Sequence, residues 1–181
     1  KTINNAKAEG ISGSGLIDLL AELKKTEIII HLGAFQDKSR KYLFAQSPDM
    51  YISAADISAL AQAKSANYCG QWIALREYGI SPINLDNLFL AGGFANYINV
   101  ENAINIGFIA NAPLSKISKV GNTALEGATL MLVSKKMRNV AEDIVKNIQH
   151  VELETAPDFF DIFVDGCMFK PMSQKPSPTV E

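Results

Sequence analysis

The run LDNLFLAGGFANY, residues 85–97, constrains this chain more than any other stretch. Its apolar segment Leu88-Phe89-Leu90-Ala91 predicts a short buried strand, and that strand stops on Gly92-Gly93. Two readings fit such an ending. One is a tight turn at positive φ, which glycine adopts without steric cost. The other is close approach of a flat ligand to backbone that carries no Cβ. In α/β folds ligands gather at the carboxyl ends of strands, which keeps the second reading open.

The neighbouring segments set the context. SGSGLIDLLAELKK, residues 12–25, predicts a turn and then a helix capped by Ser14, with Leu16, Leu19, Leu20 and Leu23 as its apolar stripe. EIIIHLGAF reads as the end of that helix and a turn at Gly33, KYLFAQ as a short strand, and Ser47-Pro48-Asp49 as a turn. Ser53, with Asp56 three residues on, predicts a capping box opening a long helix. Ile57, Leu60, Ala61, Tyr68, Trp72 and Leu75 share one of its faces, and Gly79 closes it. Beyond the LAGG strand, Asn99 and Gly107 bracket a short helix. Asn122 caps a helix over about 123–136, and a further helical segment covers about 138–149. VELE at 151–154 alternates like a strand, and PDFFDIFVDGCMF reads as a last helix with Pro157 in its first turn. The Pro-rich end is expected to be a disordered tail over 172–181, leaving 1–171 as the folded part.

Charge and composition exclude more than they assign. A net charge of -2, with lysines only in short pairs such as Lys24-Lys25 and Lys135-Lys136, argues against nucleic acid. The apolar runs fall short of the ~20 residues of a membrane span. Cys69 and Cys167 lie too far apart for a Cys-x-x-Cys metal site and read as core, although sequence alone leaves a disulfide between them open. Few cysteines and no signal peptide favour a cytoplasmic protein. His31 and His150 have no evident metal partners. Asp158, Asp161 and Asp165 read as a solvated face opposite Phe159, Phe160 and Phe163, with a metal face as the less favoured alternative. The opening KTINNAKAEG reads like the middle of something longer.

In VGNTALEGATLML, residues 120–132, small residues at Gly121, Ala124, Gly127 and Ala128 let a second backbone pack close. A helical glycine costs up to ~1 kcal/mol relative to alanine, so Gly127 implies a neighbour. Leu-Ala-Gly-Gly followed by this helix resembles two motifs of the actin, hexokinase and heat-shock chaperone ATPase superfamily. With GISGSGLIDLLAEL, LAGGFANYINVENAINIGFI and VELETAPDFFDIFVDGCMF in order, the chain resembles the C-terminal part of the reductive activators of corrinoid proteins, from about Gly10 to Pro171. One departure is visible. The family commonly has Cys in the first motif where Ser12 stands here, which argues against a required thiol at that position.

The resemblance implies an α/β fold, one lobe of an actin-like ATPase with a mixed sheet covered by helices. It implies a parent protein with an iron–sulfur cluster that uses ATP to pass one electron to an oxidised corrinoid (cobalamin) protein of a methyl-transfer system. ATP or ADP with Mg²⁺ and the corrinoid protein are the implied ligands and partners, and a homodimer stays open. Gly92 and Gly93 would lie against adenosine, Phe94 would flank it, and Asn96, with Tyr97, would be the polar neighbours. Gly13 and Gly15 would shape a turn near the nucleotide cleft. Gly121, Gly127 and Ala128 would belong to a hinge. No Asp-x-Gly-Thr phosphate loop and no iron–sulfur cysteines stand in this chain, so the fragment alone is expected neither to hydrolyse ATP nor to carry an electron. Two alternatives remain: a lobe of a kinase-like phosphotransferase, for which no aspartate base is identifiable, and a non-catalytic protein-docking lobe.

Overall fold

The computed structural model describes residues 7–46 and 49–174. The Ser47-Pro48 part of the expected turn and the end of the expected tail lie outside them. Seven helices and two small sheets are present among the described residues.

Helix α1 (Gly13–Lys25) is capped by Ser12, not by the expected Ser14. The Gly15 N–H donates to Ser12 Oγ at 3.1 Å, while Ser14 lies one residue inside the helix and is buried. The stripe α1 buries is Ile17, Leu20, Ala21 and Leu23, which sets Leu16 and Leu19 toward its margin. Lys24 and Lys25 complement the dipole of its last turn. A turn at Gly33 leads to an antiparallel hairpin, β1 (Lys41–Gln46) and β2 (Asp49–Ser53).

Ser53 then opens α2 (Ala54–Glu77) through a capping box. The Asp56 N–H donates to Ser53 Oγ at 3.1 Å, and the Ser53 N–H donates to Asp56 Oδ2 at 2.8 Å. At 24 residues α2 is the spine of the molecule. Its first half packs Ile57 and Ala61 into one core with Ile29, Phe35, Ile106 and Phe169. Its second half packs Tyr68, Cys69, Trp72 and Ile73 into another with Ile162 and Met172. Both cysteines are free thiols, and Cys69 is buried.

β3 (Leu88–Ala91), α3 (Gly93–Tyr97), α4 (Val100–Asn105) and β4 (Ile117–Gly121) form a strand–helix–strand unit whose two strands pair in parallel. The strands thus make two separate two-stranded sheets, one antiparallel and one parallel. β4 carries no strand signal of its own. ISKVG is half polar, and it is extended because β3 offers it a ladder.

The two helical segments expected over about 123–136 and 138–149 are α5 (Thr123–Val133) and α6 (Lys135–Val145), so the break falls earlier than expected, at Ser134. Ser134 is extended, at φ -133° and ψ 111°, and its hydroxyl accepts from the Met137 N–H at 3.3 Å, capping the second helix. VELE is not a strand: Leu153–Thr155 forms a 3-10 turn. Among the described residues no strand pairs with it, and Leu153 packs instead beside Gly70 on α2.

Helix α7 (Phe159–Cys167) lies against α2, and Asp158 occupies its cap position, so Pro157 precedes the helix. Its aspartates do not share one solvated face. Arg76 donates to Asp158 at 2.6 Å, the Tyr68 hydroxyl donates to Asp165 at 2.9 Å, and Asp161 is exposed. Phe160, expected on the buried side, is 73 % exposed, because the face closest to α2 is the one carrying Ile162 and Gly166. Met172 is buried, and the Gln174 amide donates to the Asn111 carbonyl, so the chain stays packed through the last described residues.

Candidate functional site at the carboxyl edge of the parallel strands

β3 and β4 end side by side, β3 running into Gly92 and β4 ending on Gly121, and both glycines have positive φ. Gly92 has φ 92° and Gly121 has φ 71°. The two are joined directly, since the Gly92 N–H donates to the Gly121 carbonyl at 2.7 Å. A residue with a side chain is strained at either φ, so the backbone alone accounts for glycine at both positions. It does not account for Gly93, whose φ is not positive and where an added Cβ would meet nothing within 4 Å. A Cβ at Gly92 or Gly121 would likewise enter open space. The carboxyl edge is therefore a ledge of bare backbone made by three glycines.

Side chains frame this ledge on one side. Phe94, 45 % exposed, lies against Phe108 with ring centroids 5.7 Å apart. Its ring also comes within 3.0 Å of where a Cβ on Gly13 would stand, so the GSG turn of α1 abuts the start of α3. The GSG turn thus stands beside the residue that follows Gly92-Gly93. Gly15 is accounted for locally, because a Cβ there would press on Ile11 at 2.9 Å. Asn96 and Tyr97 are exposed on α3.

Lys119, which sequence reasoning passed over, holds that helix in place. Its ammonium donates to the carbonyls of Asn96 at 3.1 Å and Ile98 at 2.7 Å. A lysine inside a polar strand gives no local signal of this role. It becomes visible only when β4 is paired with β3.

After Gly121, Asn122 caps α5 by accepting from the Leu125 N–H at 3.1 Å. Ala124, Gly127 and Ala128 all lie on that helix, beside the ledge in sequence and away from any core, since α5 has no buried residue. Among the described residues no three His, Cys, Asp or Glu side chains converge as metal ligands, and no helix is long and apolar enough to cross a membrane. A pocket of about 420 Å³ opens elsewhere, beside the first half of α2, lined by Gly33, Ala54, Ile57, Ala61, Gln62 and Cys167. None of the residues expected to meet nucleotide lines it.

Comparison with known proteins gives this geometry a setting. Residues 1–181 match a family described as the C-terminal domain of RACo, the ASKHA domain. The chain is 29% identical to the corrinoid activation enzyme RamQ of Eubacterium limosum, over 92% of this chain and 32% of that one. It is 24% identical to the [Co(II) methylated amine-specific corrinoid protein] reductase of Methanosarcina barkeri, over 87% of this chain and 29% of that one. The solved structure of a reductive activator for corrinoid, iron–sulfur protein superposes with a TM-score of 0.77 at 32% identity, covering 94% of this chain and 30% of that one. The chain spans about a third of the length of the curated relatives it matches.

Proposed function

This chain belongs to the family of the RACo C-terminal, ASKHA domain, and from that premise we propose that it is the C-terminal part of an ATP-dependent reductive activator of corrinoid proteins. In this reading the longer protein returns an oxidised corrinoid cobalt of a methyl-transfer system to its low-valent state by adding one electron. ATP is hydrolysed to ADP and phosphate alongside. Names of the relatives support corrinoid protein as the partner. The phosphate loops, the Mg²⁺ ligands and the iron–sulfur cluster belong to other parts of the longer protein.

What this chain contributes is the adenosine side of the nucleotide site. The backbone of Gly92, Gly93 and Gly121 offers a surface without side chains on which a flat heterocycle and its ribose can lie. Phe94, fixed by Phe108 and Gly13, flanks it, and Asn96 supplies a polar side chain. Lys119 fixes the height of α3 above the ledge. The observation that carries the reading is Gly93. Its backbone does not demand glycine and its own chain leaves the space empty, so a ligand approaching the ledge is what keeps that position free of a side chain.

The test follows cobalt in the longer polypeptide, mixed with a Co(II) corrinoid protein and a one-electron reductant. Absorbance should report Co(I) only with ATP, and Gly93→Val should raise the ATP concentration for half-maximal conversion at least about tenfold, a loss of ~1.4 kcal/mol. An unchanged ATP dependence overturns the role of the ledge. ATP binding without any Co(I) moves the kinase-like or docking alternatives ahead.

A further inference from the structure

Helix α2 sends two amide side chains to the segment that leaves α4. Asn67 and Gln71 stand one helical turn apart on the same face, and Gln71 Nε2 also donates to the Asn67 carbonyl at 3.3 Å. Both reach Phe108. Asn67 Nδ2 and Gln71 Nε2 donate to its carbonyl, the second at 3.0 Å, so α2 takes both lone pairs of one oxygen. Gln71 then closes a bond of the opposite sense, its Oε1 accepting from the Ala110 N–H at 2.7 Å. Residues 106–110 cross from one core to the other, with Ile106 and Ile109 in the first and Ala110 in the second. A buried loop needs partners for its backbone groups, and that need accounts for an amide at position 71. It does not account for the exposed Asn67, whose bond is added to a carbonyl that Gln71 already satisfies.

The ring of Phe108 carries this restraint to the glycine ledge. Its centroid lies 5.7 Å from that of Phe94, with the ring planes 57° apart. Phe94 is 45 % exposed, so burial does not lock its ring. It rests on the Phe108 ring and on the Gly13 turn. An aromatic side chain that is already set spares a ligand the cost of ordering it. We propose that Asn67 and Gln71 are positioning residues for the nucleotide: by pinning the backbone at Phe108 they hold the Phe94 ring where it flanks the base, without touching the ligand themselves. This rests on the reading above, that Gly92, Gly93 and Phe94 meet adenosine.

Nucleotide titration of the longer polypeptide tests the relay. Gln71→Glu keeps the acceptor for Ala110 but sets a carboxylate against the Phe108 carbonyl. It should raise the ADP dissociation constant, and the ATP concentration for half-maximal Co(I) formation, about fivefold, with the rate at saturating ATP within about twofold of wild type. Asn67→Ala removes one donor and should raise both about threefold. In a Phe94→Ala background, itself weakened about tenfold, neither substitution should weaken ADP binding further, because groups that act through one contact are not additive. A general loosening of the fold would weaken ADP binding alike in both backgrounds, and that result overturns the proposal. So does a loss from Phe94→Ala with none from either amide, which leaves the adenosine reading standing. An ADP affinity unchanged by Phe94→Ala removes that reading and the positioning role with it. Asn67 is exposed, so its variant carries the same cycle alone if Gln71→Glu fails to fold.

Discussion

Helices α7 and α5 are both short and apolar, both carry an internal glycine, and their surroundings are opposite. On α7, a Cβ at Gly166 would stand 2.6 Å from Ser65 Oγ and 2.9 Å from the Tyr68 ring, so the glycine is what lets α2 come this close. Polar groups then close the contact. Ser65 donates to the Phe163 carbonyl, Tyr68 to Asp165, and the buried Lys64 ammonium to the carbonyls of Gly166 and Met168. Around Gly127 on α5 there is only open space. The difference teaches that a helical glycine is interpreted by what a side chain there would strike. By that measure α7 has its partner in this chain, and α5 has none among the described residues.

The largest effect should come from exchanging the two glycines for a bulky residue in the 181-residue chain. Gly166→Leu should cost about 3 kcal/mol or more, from overpacking against Ser65 and Tyr68. Gly127→Leu should cost nothing and gain a few tenths up to ~1 kcal/mol from helix propensity. Urea denaturation of the two variants measures both, and equal losses would erase the contrast.

Next in size is Arg76→Met on the sealed side. Arg76 donates to Asp158 at 2.6 Å, and that hydrogen bond holds the Asp158 carboxyl below its usual range. Because the folded pKa is the lower one, this stabilisation is present above the unfolded value of about 3.9 and is lost as pH falls through the folded value. The variant should lose roughly 1.5–3 kcal/mol at pH 7 and little at pH 2. A loss that is the same at both pH values would show that packing of the arginine stem, not its charge, matters.

The smallest effect concerns Lys64. Burial pushes its ammonium down to about 8, with Cys167 and Asp165 pulling the other way. Above pH 8 the unfolded chain holds a proton that the folded chain has released, so this group makes stability rise with pH until its unfolded value of about 10.4. Comparing wild type with Lys64→Met between pH 8 and 10 should show a wild-type advantage that grows by up to ~1.4 kcal/mol per pH unit. A flat difference would mean that the two carbonyls keep the ammonium charged across the whole window.

Local chemistry explains which parts of this fold were legible in the sequence. The Ser53–Asp56 capping box and the extended backbone of LFLA were readable because their signals lie within a few residues; the expected burial of that strand was not met, since it has a single paired neighbour among the described residues and Phe89 is 62 % exposed. β4 was not, since ISKVG becomes a strand only through its parallel pairing with β3. Nor was the burial of Lys64, which depends on carbonyls about a hundred residues away. The break between α5 and α6 was expected just past residue 136 and lies at Ser134, because a serine fits a helix surface as well as a cap. At the candidate site, Gly92-Gly93 could be singled out from the strand that precedes it. The adjacency of Gly121 and the bracing by Lys119 needed the fold, because neither residue is near Gly92 in sequence.

Hydrogen–deuterium exchange of the longer polypeptide with and without ADP tests the central claim most directly. The account predicts nucleotide-dependent slowing at residues 91–97 and 121–126, on either side of the glycine ledge, and none in α7. Slowing around the pocket beside the first half of α2 instead, or nowhere in this chain despite saturating ADP, would contradict it.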